Sequence, residues 1–170
     1  MNQIEFALEK VASHHCAALL LFERENADYF SQFVPPRALE MLTDQGMARA
    51  IEALKTDMLE REGLYFVAVI GDEIVGRINF TIGGDQAEIG YRLAERWTGK
   101  GLAGQLLETA IAALCKEYHI KRLIARVITS NLASTKVVER AGFERFNTEE
   151  GGGERRGFGG DLVSFERWLD

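Results

Sequence analysis

Cysteine is scarce in this chain: Cys16 and Cys115 are the two among 170 residues. They form no C-x-x-C pair and have no histidine at ligand spacing, so neither a disulfide framework nor a zinc site is expected. Two buried thiols in a reducing compartment are expected instead. Proline is equally rare, and Pro35 and Pro36 stand side by side in one loop. No apolar run approaches ~18 residues, which argues against a membrane-spanning helix. Met1 to Glu5 carry neither a basic cluster nor an apolar segment. No secretory leader is expected, and a cytoplasmic location is. Positive charge is in deficit: 20 Lys and Arg against 26 Asp and Glu leave a net charge of −6. Direct nucleic-acid binding needs a basic face and is not expected. One local cationic site is still compatible with that balance.

What is present reads as an ordinary globular chain, 46% hydrophobic and 27% charged. At this length one domain over residues 1–170 is expected, burying roughly two-thirds of its unfolded surface without any staple. Ile4, Phe6 and Leu8 alternate with polar residues and predict a short first strand. Ser13 is a candidate cap for a helix running towards Asn26, and Thr43 or Asp44 for a second helix ended by Gly63. The continuous run Leu64 to Ile70 predicts a strand covered on both faces. Ile74 to Thr81 and Ala87 to Leu93 follow after Gly-Asp and Gly-Gly-Asp turns, completing an antiparallel meander. In the third strand Ala87, Ile89, Tyr91 and Leu93 share one face, and Glu88, Gly90 and Arg92 the other.

A strong helix with Leu106, Leu107, Ala110, Ile111 and Leu114 on one side comes next. Lys121 to Ile128 is a further strand. Asn131 to Arg140 is a short helix stopped by Gly142 in the left-handed C-cap position. Phe143 to Asn147 and the Leu162, Phe165, Trp168 stretch predict two last strands. Between them Gly151 to Gly160, with six glycines, predicts a mobile loop or a wide hairpin. The class is a mixed α/β sandwich around one central sheet.

The chemistry concentrates between a strand and a helix, in Thr98-Gly99-Lys100-Gly101-Leu102-Ala103-Gly104. Unsatisfied N–H groups and the helix dipole favour an anion at a helix N-terminus, and glycines let it approach. Lys100 adds a full charge. Gly99 to Gly104 matches G-x-G-x-x-G, but it does not follow its strand directly. The next strand also ends in Thr129-Ser130 rather than an acidic residue, so a dinucleotide fold is not indicated. Taken alone, this loop equally suits a glycine-rich turn that merely opens a helix. A second motif, Asn131-x-x-Ser134 through Gly142-Phe143, follows the next strand, and the two together are far more specific than either.

With these motifs and Glu88-Ile89-Gly90-Tyr91, almost the whole chain resembles the GNAT superfamily of acetyl-CoA-dependent N-acetyltransferases. Within it the likeness is to the RimJ/RimL-type branch, the ribosomal-protein N-terminal acetyltransferases. Glu25-Asn26 through Pro35 and Asp161-Leu162-Val163 resemble that branch's N-terminal segment and last strand. The resemblance implies a largely antiparallel sheet splayed near its middle and flanked by helices. It implies that Thr98, Gly99, Lys100, Gly101, Leu102, Ala103 and Gly104 cradle the coenzyme A pyrophosphate through backbone N–H groups. Thr98 stands where Gln or Arg is common, so its backbone alone is counted on. Leu93 would offer backbone groups to the pantetheine and the acetyl carbonyl. Asn131 would bond the pantetheine arm, Ser134 would lie near the sulfur, and Lys136 near the cofactor.

The implied reaction is direct attack of an amine on the thioester. Backbone donors near Leu93 suit the developing oxyanion, and Ser134, or a relayed water, suits proton delivery to the leaving thiolate. Glu88 is the candidate base, acting directly or through water, with a surface or salt-bridged strand carboxylate as its other reading. Glu154 is a weaker alternative. Tyr29, Phe30, Phe33 and the Gly151 to Gly160 loop are candidates for the acceptor groove, the aromatics equally for core packing. His14, His15 and His119 show no partner pattern, and no metal is expected. The expected acceptor is a primary amine, first a ribosomal or other protein N-terminus. Alternatives are a small amine such as a polyamine, amino sugar or antibiotic, or a non-catalytic acyl-CoA sensor. A monomer or homodimer is expected.

Overall fold

Alternation of apolar residues produces the strands, and the parallel step between two of them produces the site. A computed structural model describes residues 3–170. The strands are β1 (Ala7–Lys10), β2 (Gly63–Ile70), β3 (Glu73–Gly83), β4 (Gln86–Leu93), β5 (Arg122–Ile128), β6 (Glu144–Glu149) and β7 (Leu162–Trp168). They form one sheet in the order β1-β2-β3-β4-β5-β7-β6. The β4–β5 pair is parallel and every other pair antiparallel. A parallel pair needs a crossover, and α4 (Leu102–Glu117) supplies it. The other helices are α1 (Cys16–Glu25), α2 (Ala27–Phe30), α3 (Asp44–Leu59), α5 (Leu132–Arg140) and α6 (Gly152–Arg155).

Period-two alternation divides β2 between two cores. Leu64, Phe66 and Ala68 join Leu102, Leu106, Leu107 and Leu114 of α4 on one face. Tyr65 and Val67 join Leu19 and Phe22 of α1 and Ile51 of α3 on the other. The Gly99 to Gly104 and Asn131 to Ser134 motifs thus fall on the α4–α5 face, and α1 to α3 cover the opposite one.

Several boundaries differ from the expectations. β1 begins at Ala7 because Ile4 exchanges backbone hydrogen bonds with the Gln105 side chain, at 3.1 and 3.0 Å. Ser13 is no cap: it opens a 3-10 turn, α1 starts at Cys16, and the serine hydroxyl donates to Glu52. Thr43 does cap α3, accepting from the Gly46 N–H at 3.0 Å. That helix ends at Leu59, and Gly63 opens β2 instead of stopping it. The Gly151 to Gly160 stretch holds α6, with Gly153 packed too tightly against Gly160 for any side chain. Gly142 has φ 86° and ends α5 as expected. The thiols are not both buried: Cys115 lies on the outward side of α4, beside the buried Leu114, and is exposed, while Cys16 is half-buried. His15 is buried, accepts the Ala12 N–H at Nδ1 and faces Glu9 through Nε2, both at 3.0 Å. With Nδ1 accepting, Nε2 carries the proton, so His15 braces a turn and keeps no free ring lone pair of its own. Among the described residues no helix is long and apolar enough to cross a membrane.

Candidate active site

Pairing of β4 with β5 runs from Gln86↔Arg122 to Ile89↔Ala125 and stops there. Beyond Ile89 the two strands diverge, while β4 stays paired with β3 as far as Leu93. The ladder decides which backbone groups face the gap. The Ala94 N–H bonds the Val75 carbonyl at 2.9 Å, so even-numbered residues of β4 aim their backbone at β3. In an antiparallel ladder the alternate residues aim theirs the other way. Tyr91 and Leu93 therefore present N–H and C=O into the split, with no strand to take them.

The split opens into a cleft of about 1410 Å³. On the α4 side Gly101 is the N-cap residue with φ 85°, and Gly99 has φ 72°. The left-handed Gly101 turns the chain into α4 so that Thr98, Gly99 and Leu102 to Gly104 line the cleft. The N–H groups of Leu102, Ala103 and Gly104 belong to the first turn and have no intrahelical partner. A Cβ built on Gly99 or Gly104 would meet nothing within 4 Å. The Thr98 hydroxyl and its backbone N–H both donate to the Glu95 carbonyl, at 2.6 and 3.1 Å, so against expectation Thr98 lines the cleft without a free donor. Lys100 does not line the cleft; its ammonium sits 5.3 Å from the centre of the Trp97 ring.

Across the split, Asn131 caps α5 by accepting the Ser134 N–H on Oδ1 at 3.1 Å. Its amide NH₂ remains a donor for a ligand, so capping and binding are compatible. Ser134, Lys136 and Asn131 all line the cleft. The Tyr91 phenol donates to Ser134 Oγ at 3.2 Å. Burial raises the Tyr91 phenol above its ordinary value, with the Ser134 hydrogen bond opposing that and Tyr29 adding to it. The phenol thus stays protonated, and the serine proton is free to point into the cleft.

On the opposite face Glu88 is ion-paired with Arg126 of β5 and remains partly exposed. Tyr29 and Phe33 line this end and pack edge-on with centroids 5.7 Å apart. Tyr29 also packs against the α1–α3 core, so both readings of the aromatics hold for it. Glu154 is absent from the lining, whereas Arg156 and Phe158 of the same loop are present.

The model of the acetyltransferase (GNAT) domain matches residues 6–144. The chain belongs to the GNAT acetyltransferase family. The acetyltransferase is 29% identical over 130 residues to the probable N-acetyltransferase YjcK of Bacillus subtilis, covering 72% of this chain and 71% of that one. It is 27% identical over 127 residues to the [ribosomal protein uS5]-alanine N-acetyltransferase of Escherichia coli, covering 71% and 66%. Its fold superimposes with a TM-score of 0.88 on RimL, a ribosomal L7/L12 alpha-N-protein acetyltransferase in complex with coenzyme A. That match covers 99% of this chain and 96% of RimL at 19% identity. The enzyme is an acetyl-CoA-dependent N-acetyltransferase. The bare glycines, the free first-turn N–H groups of α4 and the open backbone of Tyr91 and Leu93 fit that coenzyme.

Two features of the acetyltransferase escape the sequence reading. Tyr91 reads as one more core-facing residue of β4, and nothing along the chain announces Ser134 as its partner. Replacing Ser134 by Ala is expected to cut kcat by ~10²-fold, the scale of a positioned proton donor, with coenzyme A affinity nearly unchanged. Tyr91→Phe should cost less, and the double variant no more than Ser134→Ala alone. Additive losses in a double-mutant kinetic cycle would show that the phenol acts independently. The second feature is a group of three arginines around Glu23. Its one signal is a charged residue interrupting an apolar run, Arg77 in Ile74-Val75-Gly76-Arg77-Ile78.

Proposed function

We propose that this enzyme acetylates the α-amino group of a protein or peptide by direct attack on the thioester. The observation that carries the reading is the state of the available base. Glu88 stands one residue from the point where β4 and β5 part, and Arg126 occupies it. A carboxylate so engaged suits an amine that needs little help. An α-amine, with pKa ~7.7–8, is partly neutral near pH 7, whereas a lysine amine at ~10.4 is almost wholly charged. The named activity of the Escherichia coli relative, on an alanine of ribosomal protein uS5, points the same way.

In this reading coenzyme A supplies an activated acetyl thioester. The backbone N–H groups of Gly99 to Gly104 hold the diphosphate, and Lys100 contributes charge from outside the lining. Asn131 donates its amide to the pantetheine arm, and Lys136 stands beside the cofactor. The N–H of Leu93 donates to the acetyl oxygen as charge grows there. Ser134, oriented by Tyr91, delivers a proton to the departing sulfur. Glu88 takes the amine proton through a water, and Tyr29 and Phe33 flank the incoming chain.

Glu88→Gln is expected to lower turnover most below the pKa of the acceptor amine, where the protonated amine must be emptied, and least above it. A pH–rate profile that superimposes on the wild type would remove Glu88 from the mechanism. The reading as a whole is checked by mass spectrometry of a peptide and small-amine library incubated with acetyl-CoA. Acetylation confined to lysine side chains or polyamines would overturn it.

A further inference from the structure

The acceptor end of the cleft carries positive charge that its surroundings do not balance. Arg37, Arg77 and Arg92 all line it. One carboxylate, Glu23, meets all three: Arg77 Nη1 at 3.1 Å, Arg37 Nη2 at 3.3 Å and Arg92 Nη1 at 3.3 Å. Glu23 lies behind them in α1, its side chain 1% exposed, and does not reach the cleft wall. Three guanidiniums against one carboxylate leave this group doubly positive, in a chain whose net charge is −6. Arg126, on the same face, is already matched by Glu88.

Donors are left over as well as charge. Each guanidinium offers five N–H groups. Arg77 is 6% exposed, yet its Nε has no hydrogen-bond partner among the described residues, and neither has the buried Nε of Arg37. Three clustered guanidiniums sharing one carboxylate, with buried N–H groups left without acceptors, are costly unless something anionic completes them. Burial lowers the Arg77 guanidinium below its ordinary value, and lowers that of Arg92 to about 10, with the neighbouring arginines acting in the same direction and Glu23 against it. The position is equally specific. Arg92 immediately precedes Leu93, whose backbone faces the split, and it stands opposite Arg77 in the β3–β4 register. Its guanidinium lies 5.0 Å from the centre of the Phe30 ring.

We infer that the acceptor carries a carboxylate close to its reacting amine, and that Arg92, with Arg37 and Arg77, binds it. The inference rests on the proposed function only in taking the acceptor to enter on this face. The carboxylate has two possible sources, an acidic side chain next to a peptide N-terminus or the α-carboxylate of a free amino acid. Bidentate pairing with a planar guanidinium is the chemistry common to both.

The test is titration calorimetry on the enzyme saturated with coenzyme A. The ligands are alanyl-aspartyl and alanyl-asparaginyl peptides of otherwise identical sequence, and free alanine beside alaninamide. At least one acid is expected to bind roughly tenfold or more tightly than its amide, the scale of a hydrogen bond to a charged group. The ratio should fall towards one in Arg92→Gln and recover in part in Arg92→Lys, with coenzyme A affinity and thermal midpoint reporting that both variants fold. Should Arg92→Gln not fold, the wild-type ratio decides, and it must shrink as salt rises. Equal affinities in both acid–amide pairs, a ratio indifferent to Arg92 in folded variants, or no binding by either acid would overturn the inference. A gap seen with free alanine alone would uphold it while removing the peptide reading. Peptides that bind without a gap, with none for free alanine either, would do the reverse.

Discussion

Gly101→Glu is expected to lower coenzyme A affinity by about 10²-fold or more, measured by titration calorimetry. Two effects combine. Gly101 has φ 85° at the N-cap of α4, where a residue with a Cβ pays ~1–2 kcal/mol of backbone strain. The added carboxylate also stands where the helix N-terminus is expected to meet a diphosphate, so like charges oppose each other in a partly dry cleft. Two companion variants separate these effects. Gly101→Ala retains the strain without the charge and should lose less affinity than Gly101→Glu. Gly104→Ala lies within the helix, its Cβ meeting nothing in the protein, and should stabilise the fold by up to ~1 kcal/mol through helix propensity. If the diphosphate rests on that turn, Gly104→Ala should nevertheless weaken coenzyme binding. Unchanged affinity in both Gly101→Glu and Gly104→Ala would place the diphosphate elsewhere.

Glu23→Ala is expected to be the most damaging change to stability, by about 3–5 kcal/mol, because it strips the shared partner from three clustered guanidiniums. For a chain of this length that corresponds to a fall in Tm of roughly 10 °C or more. Thermal melts or urea titrations would read it. Part of the loss should return in Glu23→Ala combined with Arg77→Met, which removes the most deeply buried of the stranded cations and keeps its volume apolar. A loss under ~1 kcal/mol for Glu23→Ala would mean that water already balances these arginines, and the case for an anionic acceptor would weaken with it.

Legibility along the chain followed sequence distance. The strands came from period-two runs and α4 from its leucine stripe, so errors were confined to ends where a side chain competed with the backbone. Gln105 capturing Ile4 is one, and it shortened β1. Arg61, which takes φ 60° so that α3 turns into β2 earlier than Gly63 suggested, is another. The glycine-rich stretch misled because glycine signals freedom, whereas Gly152 and Gly153 are small to let two backbone segments touch.

The two helix-opening motifs were readable because they are main-chain groups at contiguous positions: Gly99 to Gly104 opening one helix, Asn131 to Ser134 opening another. A helix N-terminus exposes its N–H groups wherever it lies, and a local motif is enough to predict that. The acceptor end obeys no such rule. Glu23, Arg37, Arg77 and Arg92 come from α1, a loop and two strands, and only the sheet register with α1 packed on it brings them within hydrogen-bond reach. The Tyr91 to Ser134 contact likewise spans the gap between β4 and α5. Side chains remote in sequence acquire their charge balance and their partners from packing, and so the charge at this end of the cleft was decided in three dimensions.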